Sequence, residues 1–239
     1  NPFLKGVANR IREGRSKLSD LSPLHLDSEL KSIIGSLEGE DVIIRNELHS
    51  SRGLRKIHLE QAVIGADLQI LHCIFFPDPR FNIPIFGADI VVSALNVNAA
   101  IMDLSPVSDE LPNYVLNKLE KLSKPKFVNP RALPEWGNIF SPYVQFIRPI
   151  GSHEESLFLG LLDNYLEILM SVIAEATPED FSSSNTLERY KRQVKYCNQQ
   201  KLNDKTKAVL SKVFGVHWAQ RYIDKLLFDN PPPLEKLNY

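Results

Sequence analysis

Residues 55–105 read RKIHLEQAVIGADLQILHCIFFPDPRFNIPIFGADIVVSALNVNAAIMDLS. Four apolar runs lie in this stretch, at 55–64, 68–76, 84–93 and 98–105, separated by Gly, Pro, Asn and Asp. Runs this short, rich in Ile, Val, Leu and Phe and bounded by turn residues, predict strands rather than helices. The joins cannot hold the dozen or more residues of a crossover helix, so consecutive strands must run antiparallel. Residues 41–48 (DVIIRNEL) add a strand upstream and residues 143–148 (YVQFIR) one downstream.

Outside the strand region the periodicity changes. Residues 110–123, 154–176, 186–202, 204–214 and 217–228 carry apolar side chains at i, i+3 or i+4 and i+7, the spacing of amphipathic helices. Asn203 and Asp204 stand where the helix over 204–214 needs its cap. Strands first and helices later predict an α+β fold, an antiparallel sheet whose two faces are buried under helices. The expectation is one domain over residues 1–239. Its N-terminal segment, 1–35, reads as helical with breaks at Pro23 and Gly35. Its tail, 230–239, reads as extended because Pro231, Pro232 and Pro233 cannot continue a helix.

Composition narrows the function. The 239 residues carry 28 Lys and Arg against 29 Asp and Glu, a formal charge of −1, which argues against binding nucleic acid through global charge. Two cysteines, Cys73 and Cys197, are too few for an iron–sulfur cluster or a disulfide framework. No uninterrupted apolar run reaches the roughly 18–20 residues of a membrane span, and the first residues lack the apolar core of a signal peptide. A soluble, cytoplasmic, monomeric protein is expected. The sequence contains no GxGxxG, GxxxxGK[ST], HExxH, CxxC or GxSxG, and its six histidines show no metal-ligand spacing.

Chemistry is concentrated in ionisable residues set inside apolar strands. His58 and Glu60 are two apart and share a strand face, His72 shares one with Ile70 and Ile74, and Asp89 shares one with Ile85 and Val91. A lone residue of this kind is ordinarily a satisfied core polar group. Three on consecutive strands, about 4.8 Å apart, can instead line one pocket as proton donors tuned by burial. A second feature is charge. Residues 189–212 hold eight basic side chains against only Asp204, a local excess of seven in a nearly neutral chain. That pattern suits either solvated helix faces or an acidic partner.

The strings KIHLEQ…LQILHCIFFPDPRFNIPIFGADIV, AAIMDLSP, RALPEWGNIFSPYVQFIRP, KYCNQQKLNDKTKAVL and FGVHWAQRYIDKLLFD, in this order, closely resemble the ferredoxin-dependent bilin reductases. The resemblance runs from about residue 38 to 229, and is closest to the branch that forms phycocyanobilin. It implies a three-layer α/β/α sandwich holding biliverdin IXα between sheet and C-terminal helices. It also implies no bound flavin, nicotinamide or metal. Electrons would arrive singly from reduced [2Fe–2S] ferredoxin, and the bilin would pass through radicals. Carried over by position, Asp89 is the central proton donor, His72 its partner, and Glu60 the acid beside the D-ring vinyl group. His58 supports them, Arg131 and Lys205 approach the propionates, and Asn203 faces the pocket. Asn98 stands where the phycocyanobilin branch usually has Ser, so phycoerythrobilin remains an alternative product. Lys195, Lys201 and Lys207 are the expected docking charges for ferredoxin. Two further readings stay open on sequence: a bilin-binding or chaperone protein without catalysis, and an α+β protein with an unrelated partner.

Overall fold

The computed structural model describes residues 1–94, 96–123 and 125–234. Its elements, in chain order, are α1 (Pro2–Ser16), β1 (Ser22–Pro23), α2 (Ser28–Lys31), β2 (Ser32–Leu37), β3 (Glu40–Ser51), β4 (Leu54–Ile64) and β5 (Leu68–Pro77). They continue as β6 (Ile85–Ser93), β7 (Asn96–Ser105), α3 (Asn113–Glu120), β8 (Gln145–Ile147), α4 (Gly151–Glu175), α5 (Ser184–Gln200), α6 (Asp204–Phe214) and α7 (Val216–Tyr222). A π-helical turn over Ile223–Leu227 extends α7.

The strands form one antiparallel sheet in the order β1-β3-β4-β5-β6-β7-β8, with β2 pairing the other end of β3 from β1. The predicted meander is therefore present, and its pleat divides the side chains between two cores. One face carries Ile57, Leu59, Leu71, Phe75, Phe86, Ile90 and Met102 against α1 and α4. The other carries Ile44, Ala62, Ile74, Phe76 and Ile85 against α5, α6 and α7. The result is the expected α/β/α sandwich. Helix α4 has the length and mean hydropathy (1.6) of a membrane span. Here Phe158, Leu162, Leu169 and Val172 on it are buried in the first core.

Three expectations need correction. Only Pro2–Ser16 of the first 35 residues forms a long helix, and Gly35 lies inside strand β2 instead of ending a helix. Ser32–Leu37 folds back on β3 through a two-residue turn, with Glu38 at φ 53° and Gly39 at φ 89°, the left-handed pair that matches strand twist. Gly35 is needed there because a Cβ would come within 2.4 Å of the Phe214 ring. The sixth predicted strand is shorter than expected, Gln145–Ile147, and α4 begins earlier, at Gly151. Of the tail over 230–239, residues 235–239 lie outside the described residues, and Pro231, Pro232 and Pro233 are non-helical.

Charged side chains tie the layers together. Glu47 on β3 receives Arg12 and Arg15 from α1 at 2.6–2.9 Å. On the opposite face Asp229, just past the π-turn, pairs with both Lys56 and Arg55 of β4, while Lys56 Nζ also donates to the Leu226 carbonyl at 2.7 Å. Lys56 is only 5% exposed. Removing Asp229 would strand that ammonium in a low-dielectric site, which typically costs about 3–5 kcal/mol. Asp229→Ala is accordingly expected to lower the chemical-denaturation midpoint sharply, and Lys56→Met in the same chain to recover most of the loss. Equal loss in single and double variants would show that the pair does not anchor the C-terminal layer.

Candidate functional site

Antiparallel register sets the site. Asn46 on β3 faces Glu60 on β4, Glu60 faces His72 on β5, His72 faces Asp89 on β6, and Asp89 faces Ile101 on β7. Ile101 in turn faces Phe146 on β8. Directly opposed residues point to the same side of a pleated sheet, so these six form a transverse row on the face covered by α5–α7. His58 stands beside Glu60 on that face, its ring 6.2 Å from His72. The three candidate acids and bases are thus neighbours, as the sequence pattern implied.

Burial governs their chemistry. His58 and Glu60 are covered, whereas His72 and Asp89 keep part of their surface open to a small cavity. Burial pushes the Asp89 carboxyl up to about 6. Burial raises Glu60 to about 7, and the nearby Asp89 carboxylate adds to the rise. Burial and then the Lys56 charge lower His72 to about 4, and the same two causes, with His72, hold His58 well below its ordinary value. Near neutrality the row therefore holds neutral imidazoles beside carboxyl groups that titrate close to working pH, the condition for efficient proton transfer.

Among the described residues, six buried side-chain polar atoms find no hydrogen-bond partner, and three of them belong here: His58 Nδ1, His72 Nε2 and Asp89 Oδ1. Buried polar atoms are rarely left unmatched, so their clustering makes this a candidate place for a ligand or ordered water to supply the partner. The cavity at His72 and Asp89 holds about 60 Å³ and is closed by Trp136, Phe140, Tyr196 and Asn203. A Cβ on Gly87 would meet the Tyr196 hydroxyl at 3.2 Å, so glycine lets that ring lie close to the sheet. A larger groove of about 400 Å³ shares Phe140 and Tyr196 but is lined by Asp109, Glu110, Arg192 and Lys195, all exposed except the half-buried Arg192. No group of three or more His, Cys, Asp or Glu suited to a metal occurs among the described residues.

The remaining sequence candidates divide. Asn203 lines the cavity and caps α6, accepting the Lys205 N–H at 3.3 Å. Lys205 is exposed at the start of α6. Arg131 is exposed at the far sheet edge, its guanidinium 5.1 Å from the Phe146 ring centre and donating to the Asn98 carbonyl at 2.9 Å. Asn98 spends its side-chain amide on Ser93. The basic segment is less free than its composition suggests: Arg189 is buried against Glu179, Arg192 pairs with Asp109, and Lys201 with Asp224 at 2.9 Å. Lys195 is exposed and Lys207 half-buried.

Three participants escaped the sequence reading. Asn46 and Tyr222 complete the polar network of Glu60, and Asp103 lies on the cavity floor, held by Ser105 and Ser141. Asp103 in IMDLS carries the same signal as Asp89, a carboxylate inside an apolar strand. Nothing local marks Tyr222, which reads as one more apolar position of an amphipathic helix.

A profile of the family described as ferredoxin-dependent bilin reductase matches residues 8–229. The chain is 54% identical over 234 residues to phycocyanobilin:ferredoxin oxidoreductase of Prochlorococcus marinus (strain MIT 9313), covering 98% of this chain and 89% of that one. It is 51% identical to the protein of the same name from Synechococcus sp. (strain CC9902), over 97% of this chain and 94% of the relative. In fold it is similar to tomato phytochromobilin synthase, crystallised with biliverdin, at a TM-score of 0.78 and 19% identity, covering 97% of this chain and 84% of that one.

The raised Glu60 carboxyl has a consequence for stability. A group whose folded value exceeds its unfolded one favours folding fully below the unfolded value, and that contribution is lost as pH rises through the folded value. Glu60→Gln, which mimics the neutral acid, should therefore raise the thermal midpoint above about pH 7, where it removes a penalty of order 3 kcal/mol, and change little below about pH 5. Melting curves across that range check it; an equal gain at both ends would mean Glu60 does not titrate there.

Proposed function

The chain belongs to the ferredoxin-dependent bilin reductases, and on that premise we propose that it reduces biliverdin IXα by four electrons to phycocyanobilin. The observation that carries the reading is the row Glu60–His72–Asp89, with His72 Nε2 and Asp89 Oδ1 unmatched beside one cavity. An open-chain tetrapyrrole offers lactam oxygens and pyrrole N–H groups, which would satisfy such atoms. Four protons must accompany four electrons. Asp89 is the central donor, with neutral His72 accepting or returning a proton next to it. Glu60, at the β3–β4 side of the row, is the donor to the D-ring vinyl group, which favours phycocyanobilin over phycoerythrobilin.

Electrons come from outside the chain, one at a time, from reduced [2Fe–2S] ferredoxin, and the bilin holds the unpaired electron between transfers. A cavity of about 60 Å³ is far below the several hundred Å³ of ordinary ligand sites, so seating the bilin requires this space to widen. Asn203 and Lys205 at the start of α6, and Arg131 at the far edge, then border the bound bilin, the two cations facing its propionates. His58 supports the row from β4, and Asn98 holds Arg131 through its backbone carbonyl. One chain carries the whole row, so the working unit is a monomer, in the cytoplasm of a cyanobacterial or phage-infected cell, or the stroma of a plastid in an alga. Lys195, Lys201 and Lys207 form the docking face for the acidic donor.

Anaerobic incubation with biliverdin IXα, ferredoxin, its reductase and NADPH should consume the biliverdin absorbance and yield a product that co-elutes with phycocyanobilin. Asp89→Asn should bind biliverdin yet stall, with a radical signal accumulating; full turnover would remove Asp89 from its role. Persistent biliverdin with the unmodified protein would favour a carrier, and a phycoerythrobilin product would reassign Glu60. Charge reversal at Lys195, which breaks no ion pair seen among the described residues, should raise the KM for ferredoxin several-fold at low salt, with the difference shrinking as salt rises. An unchanged KM would move the docking face elsewhere.

A further inference from the structure

The polar side chains behind Glu60 form a hydrogen-bonded chain whose directions are fixed from one end. The Leu30 carbonyl can only accept. Asn46 Nδ2 lies 2.7 Å from it, so the amide nitrogen faces Leu30 and the amide oxygen faces the row. That oxygen has two neighbours, His58 Nε2 at 2.8 Å and the Tyr222 hydroxyl at 3.0 Å. An amide oxygen cannot donate, so both neighbours must. His58 is then the Nε2–H tautomer, which leaves Nδ1 as the bare atom already noted.

Tyr222 has one proton to give and two oxygens in reach, Asn46 Oδ1 and Glu60 Oε2 at 2.5 Å. Were the proton given to Glu60, the Tyr222 and Asn46 oxygens would face each other at hydrogen-bond distance with no hydrogen between them. With the proton given to Asn46, the short contact to Glu60 requires a hydrogen from the carboxyl itself. Only this second arrangement leaves no acceptor facing an acceptor.

We propose that Asn46 and Tyr222 are positioning residues that hold Glu60 as the protonated, proton-donating acid, with the Leu30 carbonyl setting the direction of the chain. This rests on the reading of Glu60 as a proton donor to bilin. The chain gives that reading a physical basis, because a locked phenol accepts from a carboxylic acid and cannot stabilise a carboxylate. The ionisable groups facing Glu60 are His58 and Lys56 along its own strand, His72 and then Asp89 on the next two strands, and Tyr222 from the helical layer. Both histidines are neutral near pH 7, and Asp89 when ionised opposes a second negative charge.

Infrared titration of the bilin-free protein tests this independently of turnover. The carboxylic C=O band of Glu60 is assigned by its loss in Glu60→Gln, and its pH midpoint is followed in Tyr222→Phe, Asn46→Leu and the double variant. In the wild-type background Tyr222→Phe removes an acceptor of the acid proton, so the midpoint should fall by about one pH unit. Asn46→Leu frees the phenol to donate to the carboxylate, so the midpoint should fall there also. Adding Tyr222→Phe to Asn46→Leu should then raise it. This change of sign is the signature of the directed chain. A rise on Tyr222→Phe in both backgrounds, or no shift, overturns the proposal. If Asn46→Leu fails to fold, the sign in the wild-type background decides alone. A protein that shows the sign change but leaves biliverdin unreduced would instead refute the reductase reading and keep the chain.

Discussion

Placing a row of ionisable side chains on a buried sheet face is the constraint on which the rest of this structure depends. Neighbouring strands bring Glu60, His72 and Asp89 into direct opposition, and the helices over them exclude water. Desolvation then decides protonation: imidazoles fall and are neutral near pH 7, while carboxyl groups rise to titrate close to it. The arrangement opposes folding in both directions of pH. Buried histidines favour unfolding when pH falls through their unfolded value, and buried carboxyls when it rises through theirs. Such a site persists only if the surrounding layers are strongly held.

The layers are held by ion pairs that flank the row. Glu47 with Arg12 and Arg15 joins α1 to one face, and Asp229 with Lys56 and Arg55 seats the end of the chain on the other. The second clamp also serves the site, since the Lys56 ammonium helps keep His72 and His58 neutral. Tyr222 lies one helical turn before the clamped segment, which brings its hydroxyl to Glu60. Stacking of Tyr222 on Trp218, 4.8 Å between ring centres, limits how that ring turns.

Legibility differed between elements for identifiable reasons. Strands β4–β7 announced themselves because β-branched and aromatic residues recur between turn residues, and α6 because Asn203 caps it. Strand β2 did not, since Ile33 and Ile34 adjoin and blur the alternation, and Gly35 imitates a break when its real reason is the Phe214 ring. The net charge of residues 189–212 was legible, but its availability was not. Arg189 turns inward, and several cations meet acids from distant segments.

The sequence by itself determined the sheet, the two helical covers and the identity of Glu60, His72 and Asp89 as residues out of place in apolar strands. Side-chain period and turn chemistry are local properties, so one chain of letters carries them. Tertiary structure alone decided the register that opposes these three residues, the depth of their burial, and the recruitment of Asn46 and Tyr222, 176 positions apart, to one oxygen–oxygen contact. Proton affinity and hydrogen-bond direction depend on what surrounds a group in space, and that environment exists only once the layers have closed.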